Sequence, residues 1–256
     1  MTILHVVGAR PNFIKVAPVV RALKGKNVVR QLLVHTGQHY DINMSDIFFT
    51  QLGIPSPDIN LEVGSSSHAV QTAQIMTRIE SILLGKKPDR VLVYGDVNST
   101  VAAAMVSAKL LIPVGHVEAG LRSFDRTMPE EINRLLTDQL ADLLFTPSSD
   151  GDENLIREGV TPEKIHLVGN VMIDTLSHML PEAERKWPLL CARLNIEKNR
   201  YALVTLHRPS NVDETAMLEK IMSALEGLSE KIHVIFPIHP RTRARMIASC
   251  LNVAES

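Results

Sequence analysis

The sequence predicts an α/β chain built on mostly parallel, doubly wound sheets, one complete and a second incomplete. Three observations predict it. Short apolar runs alternate with longer amphipathic stretches. The runs are continuous rather than alternating, as strands covered on both faces require. The segments between them are long enough for crossover helices.

In chain order the strands are expected at 2–7, 29–35, 90–94, 112–117, 142–145, 165–168, 201–206 and 232–236. The clearest helix is 67–84, where Ala69, Val70, Ala73, Met76, Ile79, Leu83 and Leu84 keep a 3.6-like period after a Ser65-Ser66-Ser67 entry. Gln71, Gln74, Arg78 and Ser81 then take the opposite face. Further helices are expected at 11–24, 100–110, 130–141 and 213–228, with stops at Gly25, Gly85 and Gly159. A domain boundary is placed after Asp174, because residues 181–200 are charged, hold Trp187-Pro188 and precede a fresh strand at Tyr201. Residues 1–174 then form an N-terminal domain. Residues 175–256 supply a linker and the first part of a C-terminal domain, whose two strands seldom suffice alone.

Composition narrows the function classes. Of 256 residues, 45% are hydrophobic and 21% charged, which excludes a disordered or low-complexity chain. Lys plus Arg (27) nearly balances Asp plus Glu (28), so no overall field draws nucleic acid or a membrane as partner. Cys191 and Cys250 stand far apart, which argues against a disulfide framework or a zinc site and suits a reducing, cytoplasmic location. No run approaches the roughly 18 apolar residues of a membrane span.

Ligands in open α/β sheets bind beyond the carboxyl ends of strands. After the first strand comes Gly8-Ala9-Arg10-Pro11, with Lys15 beyond it, a helix mouth suited to phosphate. It matches neither the Gly-x-Gly-x-x-Gly nor the Walker A pattern, so dinucleotide and ATP readings are weak. After the third strand comes Gly95-Asp96, where a helix cap is the plainer role for a lone Asp. His116 and Glu118 close the next strand, at a spacing that puts both on one face. Glu130 and Glu131 open the helix after it, in a sequence ending at Arg134. Asp96, Glu118 and Glu130 thus converge on one edge, and clustered carboxylates let one act as base and another as acid. No Asp-x-Asp or His-x-x-x-His spacing supports a metal. In the second piece His207-Arg208 and His239 follow strands, a pattern for anion capture.

Gly8-Ala9-Arg10-Pro11, Gly37-Gln38-His39, Gly95-Asp96, the run His116 to Arg122, Pro129 to Arg134, Gly169 to Asp174 and His207-Arg208 resemble, in family order, the non-hydrolysing UDP-N-acetylglucosamine 2-epimerases. The resemblance implies a GT-B-like fold of two Rossmann-like domains, a homodimer, a UDP-sugar substrate and no redox cofactor. It implies inversion at carbon 2: UDP leaves anti, 2-acetamidoglucal forms, and UDP returns after the proton is replaced on the other face. Asp96, Glu118 and Glu130 match the acid–base carboxylates, and Arg10 and His207 the residues that handle UDP. Lys15, Gln38, His116, Arg122, Glu131, Arg134, Arg208 and His239 are expected to line the substrate site. A glycine-rich Ser-Gly-Gly loop of the family is not found before Ser256, so the chain is expected to be a C-terminally truncated form, active or inactive. Tyr40-Asp41 replace the Arg-Gln of members regulated by a second UDP-sugar, which makes such activation unexpected. The same stretch resembles epimerases of UDP-2,3-diacetamido-glucuronate, which leaves the sugar open. A GT-B glycosyltransferase is the alternative from another class, and three convergent carboxylates speak against it.

Overall fold

A computed structural model describes residues 1–26, 28–38, 49–206 and 208–249. Two compact units result, Met1–Met179 and a second that begins at Leu180.

The first unit is a seven-stranded parallel sheet in the order β3-β2-β1-β4-β5-β6-β7. Its strands are β1 (Thr2–Val7), β2 (Arg30–His35), β3 (Ile59–Asn60), β4 (Arg90–Tyr94), β5 (Val114–Val117), β6 (Leu143–Thr146) and β7 (Ile165–Leu167). The continuous apolar runs are explained by two cores. Leu4, Val6, Val91 and Val93 feed one cluster, while Ile3, Val7, Leu92 and Tyr94 feed another. Successive side chains point to opposite faces, so a strand buried on both faces is mostly apolar along its length, and a polar side chain in it needs partners. Each such side chain contributes about 1.5 to 3 kcal/mol on burial.

The helices are α1 (Arg10–Leu23), α2 (His68–Lys86), α3 (Asn98–Lys109), α4 (Pro129–Leu140), α5 (Ser149–Arg157) and α6 (Val171–Leu194). Three expectations are corrected. In α2 the buried line is Gln71, Ile75, Ile79 and Leu83, and Val70 and Leu84 are exposed. Gln71 is buried because its amide donates to Gly64 O (2.9 Å) and Gln38 O (3.2 Å) and accepts from Asn98 Nδ2 (2.8 Å). Gly85 does not stop this helix, which caps at Lys87 in the left-handed region (φ +45°). Most of the segment expected to be a linker is helical, since α6 continues to Leu194 with Pro181 and Pro188 inside it.

The second unit holds a two-stranded parallel sheet of β8 (Tyr201–Leu203) and β9 (His233–Ile235). Its helices are α7 (Pro209–Val212), α8 (Thr215–Ser229) and α9 (Pro240–Ala248). Val212, Leu218, Met222 and Met246 form its small core. Among the described residues no helix is long and apolar enough to cross a membrane.

His5, which nothing in the sequence marked, is fully buried in β1. Its Nε2 faces Gln31 Oε1 (3.1 Å) and its Nδ1 faces Tyr94 Oη (2.6 Å). Burial lowers its pKa to about 4, against the hydrogen bond to Gln31 Oε1 that opposes the shift. Below its ordinary value of 6.5 the unfolded chain takes up a proton that the folded protein refuses until about pH 4. The stability contributed is therefore complete above pH 6.5 and is lost as pH falls toward 4. Urea unfolding at pH 5 is expected to show about 2 kcal/mol less stability than at pH 7. His5→Gln removes that difference; equal losses in both proteins would contradict it.

Candidate functional site

The loops at the carboxyl ends of β1, β4 and β5 meet at one edge of the first sheet. At the first, Asn12 organises the turn: its Oδ1 accepts from the N–H groups of Gly8 (3.0 Å) and Ala9 (3.1 Å), and its Nδ2 donates to Tyr94 O (2.7 Å). The Gly8 and Ala9 amides are therefore taken by Asn12, while the Arg10 side chain at the same mouth is exposed. Gly8 is required here for space. A Cβ would lie 2.0 Å from Ser99 Oγ and 2.5 Å from Thr36 Oγ1, a contact no side chain tolerates. Gln38, expected to bind substrate, is buried and accepts from Ser99 N (3.2 Å) and Ser99 Oγ (2.6 Å), which braces the same corner.

Glu118 leaves β5 in the left-handed region at φ +74°, a conformation that costs a non-glycine residue about 1 to 3 kcal/mol and collects at functional sites. Its carboxylate is ion-paired with Lys15 Nζ, on a lysine that is itself buried in α1. Both groups lie against Gly95: a Cβ placed there would be 3.3 Å from Glu118 Oε2 and 2.5 Å from Lys15 Nζ. Asp96 follows directly. It is not a helix cap, since Val97 holds that position in α3. The Asp96 carboxylate instead pairs with Arg134 of α4, and Asn133 Nδ2 donates to Asp96 O (2.8 Å). The Asp96 loop is thus bonded to the first turns of α4, where Glu130 stands one turn before Arg134. Glu130 is half-buried, and its carboxylate makes no hydrogen bond or ion pair among the described residues.

Four residues expected at the substrate site, His116, Arg122, Glu131 and Arg134, are each engaged by partners within the first unit. The fully buried His116 does not pair with Glu118; its Nδ1 meets Asp138 Oδ1 (2.6 Å) and its Nε2 donates to Gly95 O (2.8 Å). Arg122 is buried against Glu158 (2.8 and 2.6 Å) and Asp138 (2.8 Å). These partners hold its guanidinium protonated in spite of burial. The buried Glu131 accepts from Ser123 N (2.9 Å), Ser123 Oγ (3.0 Å), Phe124 N (3.0 Å) and Arg134 (2.8 Å). Although burial favours its neutral form, these bonds keep its carboxyl below the usual range. Arg134 stands between Asp96 and Glu131, half-buried rather than open. Asn12, Asp138 and Glu158 were missed by the sequence reading. Asp138 is fully enclosed; burial opposes its ionisation, and His116 and Arg122 outweigh burial to hold it below the usual carboxylate range.

In the second unit Arg208 is exposed just before α7, and His239 caps α9, its Nδ1 accepting from Arg241 N (3.2 Å). His207, His39, Tyr40, Asp41 and Cys250 lie outside the described residues.

A family model described as UDP-N-acetylglucosamine 2-epimerase matches residues 21–255. The chain is 51% identical over 243 residues to the UDP-N-acetylglucosamine 2-epimerase homolog of Methanococcus maripaludis, a match covering 95% of this chain and 67% of that protein. It is 45% identical to the UDP-2,3-diacetamido-2,3-dideoxy-D-glucuronate 2-epimerase of Pseudomonas aeruginosa, over 95% of this chain and 68% of that one. The crystal structure of the Methanocaldococcus jannaschii UDP-GlcNAc 2-epimerase in complex with UDP-GlcNAc and UDP superposes with a TM-score of 0.87 at 44% identity, covering 98% of this chain and 69% of that chain. The chain therefore spans about two thirds of the length of the relatives it matches.

Proposed function

The chain belongs to the UDP-N-acetylglucosamine 2-epimerase family, and we propose that it inverts carbon 2 of a UDP-N-acetylhexosamine, interconverting UDP-GlcNAc and UDP-ManNAc. The observation that carries the reading is the meeting of the Glu118 and Asp96 loops at Gly95, each carboxylate faced by a cation, with Glu130 on the helix that Asp96 is bonded to.

The chemistry follows from that placement. One carboxylate takes the carbon 2 proton. The C2–H electron pair becomes the C1=C2 bond of 2-acetamidoglucal, and the C1–O pair leaves with UDP. A second carboxylate returns a proton to the opposite face as UDP re-adds. Removing on one face and delivering on the other requires acid–base groups on opposite faces of the ring, and Glu118 after β5, Asp96 after β4 and Glu130 on α4 are the candidates for them. Arg10 at the mouth of α1 is suited to the diphosphate as charge develops on it. Lys15 balances the charge of Glu118. The same proposal places the enzyme in the cytoplasm as a homodimer.

Proton NMR of the chain with UDP-GlcNAc in deuterated water tests this. Deuterium at carbon 2 together with the manno epimer is the expected result. No exchange with UDP-GlcNAc overturns the assignment of that sugar. The 45% identity to the Pseudomonas aeruginosa enzyme favours UDP-2,3-diacetamido-glucuronate as the second reading, and the same experiment run with that sugar decides it.

A further inference from the structure

We propose that Asp138 is a positioning residue, a single buried carboxylate that locks together the loops carrying Asp96 and Glu118; the inference rests on the catalytic reading above.

Asp138 lies in the third turn of α4 and touches no open surface. Three donors from three places converge on it. His116 Nδ1 of β5 meets Oδ1 at 2.6 Å, and Oδ2 accepts from Gly120 N (3.1 Å) and from the Arg122 guanidinium (2.8 Å). The imidazole carries the connection onward, because Nε2 donates to Gly95 O at 2.8 Å. The carbonyl next to Asp96 is therefore two hydrogen bonds from Asp138. The amide two residues after Glu118 is one hydrogen bond away.

Gly120 makes the second link rigid. It sits at φ +79°, and a Cβ there would come within 2.4 Å of Gly151 O, so the backbone is pressed against α5. Both ring nitrogens of His116 face acceptors, so the ring cannot turn without losing a bond.

A buried charge cluster is weak evidence for stability, because apolar residues of like volume often serve the fold as well. What the cluster does supply is a fixed distance between two loops, and displacements near 1 Å in such constellations cost on the order of 100-fold in rate. The ends of the network fall on Gly95, next to Asp96, and on Gly120, two residues after Glu118, and none of its hydrogen bonds goes to those two carboxylates.

Asp138→Asn keeps the shape and an acceptor for His116, but turns an amide N–H toward Gly120 N and Arg122. Amide hydrogen exchange at 95–98 and 118–122 is expected to quicken by about tenfold or more, with the amides of β1 and β2 unchanged. The kcat for carbon 2 exchange is expected to fall about 10- to 100-fold with KM within about threefold. Glu158→Gln, which loosens Arg122 alone, leaves exchange at 95–98 unchanged. Faster exchange across the whole sheet, or none at 95–98, overturns the proposal, as does an unchanged kcat in a protein that turns over. Should the parent chain turn over no UDP-sugar, the catalytic reading fails and the exchange pattern alone decides the positioning role. If Asp138→Asn does not fold, Asp138→Glu keeps the charge one methylene out of place and is read by the same two measurements.

Discussion

Asp96→Asn is expected to lower kcat for carbon 2 inversion about 10²- to 10⁴-fold, the usual loss when a proton-transferring group is removed. The fold should scarcely notice. Arg134 keeps Glu131 at 2.8 Å, and the bond from Asn133 goes to the Asp96 backbone oxygen, which the substitution leaves in place. The check pairs initial rates of deuterium incorporation with urea midpoints. Turnover at the parent rate would remove Asp96 from the proton-transfer chemistry, and a collapse of stability would make its pairing with Arg134 the main role.

Lys15→Met is expected to have the largest effect on stability. The Lys15 and Glu118 side chains are only 7% and 14% exposed, so the substitution leaves a carboxylate shielded from water and without its cation. Breaking such a pair costs about 3 to 5 kcal/mol, mostly the penalty of the stranded charge. Glu118→Gln in the same background should restore part of the loss, because it removes that charge. A double-mutant cycle read by urea unfolding measures the coupling. Additive effects, or a Lys15→Met protein within about 1 kcal/mol of the parent, would show that the pair is not held as the structure has it.

The sequence exposed the fold where burial on both faces forced continuous apolar strands, as in β1 and β4. It hid elements whose cause is not periodicity. β3 is only Ile59 and Asn60, bonded to the end of β2, and two residues carry no pattern. α6 was obscured by Pro181 and Pro188, which ordinarily argue against a helix interior.

Site residues at strand ends were legible because their position in a parallel sheet is enough to nominate them. Their partners were not. Lys15 meets Glu118 across 103 positions and Asp96 meets Arg134 across 38, and local spacing encodes neither. Asp138 left a faint trace: Glu131, Arg134 and Asp138 fall at i, i+3 and i+7, one side of α4, which looks like a solvated face. That side is turned inward, and its charges are matched by Ser123, Phe124, His116 and Arg122 from outside the helix.

The place of β1 bears on how the chain is made. Although first in sequence, β1 lies inside the sheet, with β2 on one side and β4 on the other, Ile3 opposite Arg90. During synthesis at about 5 to 20 residues per second, the strand waits roughly 4 to 17 s for its second neighbour to emerge. Throughout that interval a row of apolar side chains and unpaired amides is open to other nascent chains. Slowing translation before residue 94 is therefore expected to lengthen the exposure and raise aggregation, read as the soluble fraction of the nascent chain.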